Sequence, residues 1–251
     1  MDERLPRRDL LRHLAAFTTF ALLGEARAAL AGASASADAW IARQVALSRA
    51  LAAGELRPIA WMGEIERLAT EVDVTEVMAL VARARVTSAG MPFHNDPQKR
   101  HVRFLAEDGS PRRLPFGAAL FEFAPGNVVT PHGHKHMVSA HLVVEGRFRV
   151  RNFDRLRDEG GALVIRPTRD FIAKVGDVST MSAERDNVHW FVPVGGRATT
   201  FDVVISGLDR GQPDYDIQAV DVKGGRALGD GTIVAPIMGF AESSARYTPD
   251  V

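Results

Sequence analysis

Two periodicities divide the chain. Trp40, Ile41, Val45, Leu47 and Leu51 recur at helical spacing, and Gly54 ends the run. Met62, Ile65, Leu68 and Val72 form a second apolar stripe. Asp73 with Glu76 three residues on reads as a capping box. It opens a third helix with Val77, Leu80, Val81 and Ala84 on one side, and Gly90 and Pro92 stop the pattern. The stretch MPFHNDPQKR is a polar linker. From His101 the period shortens. HVRFLA, GAALFEFA, SAHLVVEG, RFRVRNF, ALVIRPT, GDVSTMS, NVHWFVPV and ATTFDVVISG are short apolar runs separated by Gly, Pro, Asp and Asn. Many short strands at this spacing predict a mainly β barrel or sandwich preceded by a helical segment. In RFRVRNF, Arg147, Arg149 and Arg151 alternate with Phe148, Val150 and Asn152, so the arginines share one solvated sheet face.

Composition changes this picture little. Of 251 residues, 46% are hydrophobic and 25% charged, which suits one sizeable core. Thirty-one basic side chains balance 31 acidic ones, so no broad attraction to nucleic acid or anionic membrane is expected. The chain has no cysteine, which excludes disulfides, thiolate ligands and a cysteine nucleophile. The N-terminus adds an address. Arg7, Arg8 and Arg12 precede an uncharged stretch from Leu14 to Gly24, then small residues with Ala-x-Ala sites ending at Ala28, Ala35 or Ala37. Residues 1–37 therefore read as an export signal, too short in its apolar part for a stable membrane span. The twin arginine followed by DLLR resembles a twin-arginine (Tat-type) signal, which implies a periplasmic or secreted, folded cargo. The alternative is an uncleaved N-terminal helix on a cytoplasmic protein. Residues 38–92 are expected to pack on a barrel spanning 93–251 with a C-terminal extension; a homodimer contact is the other use for those helices.

The chemistry concentrates in TPHGHKHMVSAHLVVEG, where His132, His134, His136 and His141 fall within ten residues. On a strand, residues two apart face the same side, so His132 and His134 project together and can chelate one ion. His189 in DNVHWF lies in an apolar strand and needs a partner for its ring nitrogens. It is the candidate third ligand. His136 continues the alternation and is a candidate cavity-lining acid or base. His141 shares the parity of Ser139 and is a candidate of the same kind. His94 and His101 read as surface residues. Arg103 is a remote candidate for a substrate carboxylate.

Gly126 lies before His-x-His at 132–134, Gly146 lies twelve residues after His134, and Gly176 opens the pair of runs that reaches His189. Together these resemble the two signature motifs of the cupin superfamily, over roughly His101 to Gly207. The resemblance implies a double-stranded β-helix (jelly-roll) barrel with a ligand inside. Many cupins carry a glutamate ligand where this chain has Ser139. Three histidines without a carboxylate resemble the thiol dioxygenases. DNVHWF resembles the last-ligand segment of the cysteamine dioxygenase and plant cysteine oxidase group, and FDVVISGLDRGQPDYDIQAV resembles the strand and Pro-Tyr loop after it. The crosslinking cysteine of cysteine dioxygenase and its later tyrosine are absent; the tyrosines are Tyr215 and Tyr247. The resemblance implies Fe(II) on His132, His134 and His189, a small thiol and O2 as substrates, and a sulfinic acid as product. Tyr215 is a candidate for the pocket rim. Ligand identity alone leaves Zn, Ni, Mn and Cu open. Two other readings stand beside it: a different cupin enzyme acting on a sugar, dicarbonyl or phenolic substrate, or a non-catalytic periplasmic binding cupin.

Overall fold

The structure, a computed structural model, describes residues 36–209, 211–213 and 216–248. The export segment therefore lies outside the described residues except for Ser36 and Ala37. Ser36 caps the first helix: its hydroxyl accepts from Ala39 N at 3.3 Å.

Three helices open the described chain: α1 (Ala37–Ala52), α2 (Pro58–Ala69) and α3 (Val74–Ala82). Pro58 begins α2 at the position where a missing N–H costs nothing. Asp73 caps α3 by accepting from Thr75 N at 2.7 Å. The expected reciprocal box does not form. Glu76 instead accepts from Ala37 N at 3.1 Å, because helix packing brings the start of α1 within its reach. The helical pattern also ends earlier than Gly90. Arg85–Ala89 is a strand, β1, and it pairs with β2 (Gln98–Arg103), so β2 takes in the end of the expected linker.

The remaining strands are β3 (Gly117–Phe123), β4 (Val129–Lys135), β5 (Val138–Glu145), β6 (Arg147–Glu159), β7 (Ala162–Lys174), β8 (Val178–Met181), β9 (Val188–Pro193), β10 (Ala198–Ile205), β11 (Asp216–Val220), β12 (Arg226–Ala227) and β13 (Ile233–Met238). A helix, α4 (Phe240–Tyr247), follows. One antiparallel sheet runs β1-β2-β3-β10-β5-β8, the other β11-β4-β9-β6-β7-β13-β12. The inner quartets β3-β10-β5-β8 and β4-β9-β6-β7 make a jelly roll of the cupin type, with the helical segment ahead of it. The turn from β5 to β6 requires glycine: Gly146 has φ +69° and an added Cβ would overlap Arg197 O.

Alternation assigns the faces. Phe201, Val203, Ala140, Leu142 and Leu120 point outward from the first sheet and are buried under Trp40, Ile41, Trp61, Ile65 and Leu68 of the helices. Their neighbours Thr200, Asp202, Ser139, His141 and Ala119 point inward and line a cavity. Helices and sheet thus share one core. The second sheet does something further. β11 pairs with β4 on one side and β13 on the other, so its strands close into a ring. That ring has its own apolar core of Phe153, Leu163, Ile165, Val188, Val220 and Ala235. Arg149 and Arg151 of β6 lie on the outside, where both meet Asp170 and Arg151 stacks over Trp190 at 4.1 Å.

Candidate metal centre

β4 and β9 carry the histidines. Their register sets His132 directly opposite His189, and a bulge between Val129 and His132 accommodates Pro131, which has no N–H to give the ladder. His132 and His134 face inward, while Gly133 between them faces the ring core. A Cβ at Gly133 would meet Asn187 Oδ1 at 2.9 Å and Val188 Cγ2 at 3.1 Å. Asn187 earns that place by donating its amide to His134 O at 2.6 Å and to Ser182 O at 3.0 Å.

The three imidazoles converge. His189 Nε2 lies 3.1 Å from His132 Nε2 and 3.3 Å from His134 Nε2. His132 Nδ1 donates to Thr130 O at 2.7 Å, which leaves its Nε2 lone pair facing inward. His134 Nδ1 contacts Met137 Sδ at 3.2 Å, and His189 Nδ1 is buried without a partner among the described residues. Burial, aided by the nearby His141, pushes His132 down to about 4; its neighbouring Thr130 carbonyl opposes this. His134 and His189 are driven well below the ordinary histidine range by burial and by the adjacent imidazoles. All three are therefore neutral at pH 7 and present lone pairs. Separations of 3.1 and 3.3 Å from His189 to the other two nitrogens are short enough for one ion, bound at about 2.1 Å, to reach each such pair. The cluster can hold a metal ion, and among the described residues no carboxylate belongs to it.

Opposite this triad lies an array that connects two strands of the other sheet. Asp202 on β10 pairs in register with His141 on β5. Its Oδ2 accepts from His141 Nδ1 at 2.7 Å, and His141 Nε2 meets Ser139 Oγ at 2.9 Å. Asp202 is buried, and its Oδ1 has no partner among the described residues. The His141 and His189 rings lie 4.9 Å apart. The structure thus brings His132, His134, His189 and His141 to one cavity of about 590 Å3.

Other candidates fall elsewhere. His136 does not line the cavity. The chain leaves the strand there with φ 61°, which breaks the alternation and turns the ring to Asp209, whose Oδ2 lies 3.0 Å from Nδ1. Tyr215 lies outside the described residues. Tyr247 is buried, donates to Asp221 Oδ1 at 3.1 Å and packs edge-on against Trp190 at 5.0 Å, so it anchors α4. His101 is exposed, as a surface residue should be, yet it lines the cavity. Arg103 is exposed and does not. Asp202 was not singled out from sequence. Its signal was a lone charge inside the apolar run ATTFDVVIS.

No protein-family model matches the chain, and no curated protein matches it in sequence. Among solved structures, it is similar to KdgF from Halomonas sp., with 18% identity over 47% of this chain and 84% of that one, at a TM-score of 0.33. It is similar to an oxalate oxidase, with 19% identity over 52% of this chain and 58% of the other, at a TM-score of 0.36. It is also similar to the capsular polysaccharide assembling protein CapF from Staphylococcus aureus, with 16% identity over 59% and 37%, at a TM-score of 0.34. Likeness at this level carries no argument about activity. Fold and site together define a cupin-type jelly roll whose interior histidines can take a metal.

Proposed function

We propose that this chain is a mononuclear non-haem iron dioxygenase that oxidises a thiol to a sulfinic acid. The observation that carries the reading is the ligand set: three neutral imidazoles converging without a carboxylate, beside a carboxylate-held histidine. When bound, divalent iron would supply a doubly charged centre with open positions for thiolate and dioxygen. The chain's own residues do the rest. Thr130 fixes the tautomer of His132, and Asn187 holds the strand that carries His134. His141, oriented by Asp202, takes the thiol proton at Nε2, displacing its contact to Ser139. The balance is thiolate plus O2 to sulfinate, with that proton passing on to water. Phe123, Phe191 and Val128 give the cavity an apolar wall. Export of the folded, loaded protein by the twin-arginine route belongs to the same proposal and is tested by cell fractionation.

The test is oxygen uptake by the full chain loaded with Fe(II), using cysteamine, cysteine, 3-mercaptopropionate and larger thiols. Thiol-dependent uptake that disappears in His189→Ala supports the reading. No uptake with any thiol, in protein holding stoichiometric iron, overturns it and favours a different metal and substrate.

A further inference from the structure

The cavity is too large for a small thiol. At roughly 30 Å3 per heavy atom, scaled from the share of a water molecule in the liquid, a four-heavy-atom thiol fills about 120 Å3. The cavity of about 590 Å3 is on the scale that encloses ligands of some twenty heavy atoms or more.

Its shape follows from the strand register. His141 pairs with Asp202, Asp202 with Ala119, and Ala119 with His101, so one row of inward positions crosses β5, β10, β3 and β2. At about 4.8 Å per strand, that row extends about 14 Å from the proton-accepting histidine to His101. Ala119 leaves the middle of the row open. Phe121, Phe123, Phe191 and Met137 give the lining its apolar character.

The far end carries an unused cation. Lys99, two residues before His101 on the same face of β2, lines the cavity. Its Nζ lies 5.4 Å from the Phe121 ring centroid, and no ion pair to it is found among the described residues. Asp96 also lines this end, but its Oδ2 already accepts from Phe93 N at 3.0 Å, and burial pushes its carboxyl up. Asp202, the other acid of the cavity, is committed to His141.

We infer that the substrate is an elongated, largely apolar or aromatic molecule whose reacting group sits at the histidine triad and whose carboxylate, or similar anion, is held by Lys99 beside His101. This rests on the dioxygenase reading only for the identity of the reacting group. Lys99 is then a specificity-determining residue, contributing a charge-assisted contact partly shielded by Phe121.

The experiment uses the full, metal-loaded chain and three rigid probes: 4′-(mercaptomethyl)biphenyl-4-carboxylate, its carboxamide, and the carboxylate with a hydroxymethyl group in place of the thiol. Calorimetry reads binding without turnover under anaerobic conditions, and oxygen uptake is read separately. The carboxylate should bind about ten-fold or more tighter than the carboxamide. Lys99→Met should abolish that preference while leaving carboxamide binding unchanged, and Lys99→Arg should retain it. Equal binding of carboxylate and carboxamide by the unaltered protein overturns the inference. So does cysteamine turning over with a higher kcat/KM than the biphenyl thiol. If the hydroxymethyl carboxylate binds the unaltered protein about ten-fold or more tighter than it binds Lys99→Met but no thiol is oxidised, the dioxygenase reading fails and this inference stands.

Discussion

Gly133→Ala perturbs the histidine strand while leaving every ligand in place. The new Cβ would sit 2.9 Å from Asn187 Oδ1 and 3.1 Å from Val188 Cγ2. Asn187 cannot swing away freely, because its amide donates to His134 O and Ser182 O. Staying compresses the contact, and overpacking of this kind costs about 1–3 kcal/mol. Retreating strands buried carbonyls at about 1–3 kcal/mol each. The folded state takes the cheaper of the two and should lose about 1–3 kcal/mol, so for a chain of this size Tm should fall by about 2–12 °C. The displaced His134 should weaken metal binding by about 10- to 100-fold, the usual effect of disturbing groups that orient a ligand. Thermal unfolding of the metal-free protein reads the first effect, and competition with a chromophoric chelator reads the second. Repeating the substitution in an Asn187→Ala background removes the tighter of the two contacts. The two changes should then be non-additive by about 1 kcal/mol. Unaltered Tm and affinity in Gly133→Ala, or strict additivity in the pair, would refute the view that Asn187 braces the metal strand.

Three further outcomes are expected. His136→Ala should leave metal content and activity within about two-fold of the parent protein, since its ring meets Asp209 and does not line the cavity; metal analysis beside His189→Ala, which should lose the ion, separates the two histidines. Tyr247→Phe removes the hydroxyl shared by Asp221 Oδ1 and Lys223 N, so the C-terminal helix should loosen at a cost of about 1–2 kcal/mol, read as faster proteolysis near residue 240. In metal-free protein the buried histidines should make stability depend on pH. The unfolded chain binds protons below about pH 6.5, whereas folded His132 resists until about 4. Stability is thus full above about 6.5 and lost as pH falls toward 4, by about 1.4 kcal/mol per pH unit for each such histidine; urea unfolding across that range checks the slope.

The sequence conveyed what depends on local period. The stripes of the three helices, the alternation in RFRVRNF and the His-x-His spacing are all properties of neighbouring residues. What it withheld depends on contacts between distant segments. The pairing of His141 with Asp202 is a matter of register between strands about sixty positions apart, which no local pattern encodes. Glu76 left its expected box because the start of another helix offered a better donor. His136 continued the alternation on paper, but one left-handed residue turned it outward. β1 left little trace because its five residues, RVTSA, begin on an arginine, hold Val86 as their one large apolar side chain and make an exposed edge strand.

The closed ring of the second sheet has a consequence for how this protein can change. β4 and β9 face the barrel interior on one side, and on the other Val188 of β9 packs into the ring core with Leu163, Ile165 and Val220. The spacing of the histidines is thereby set in part by ring-core residues that do not line the cavity. Lys99 and His101 belong to an element outside that packing, the edge hairpin of β1 and β2. Mutations there can redraw what the cavity admits without retuning the ion. A lineage built on this scaffold can therefore explore new substrates while its inorganic chemistry stays fixed.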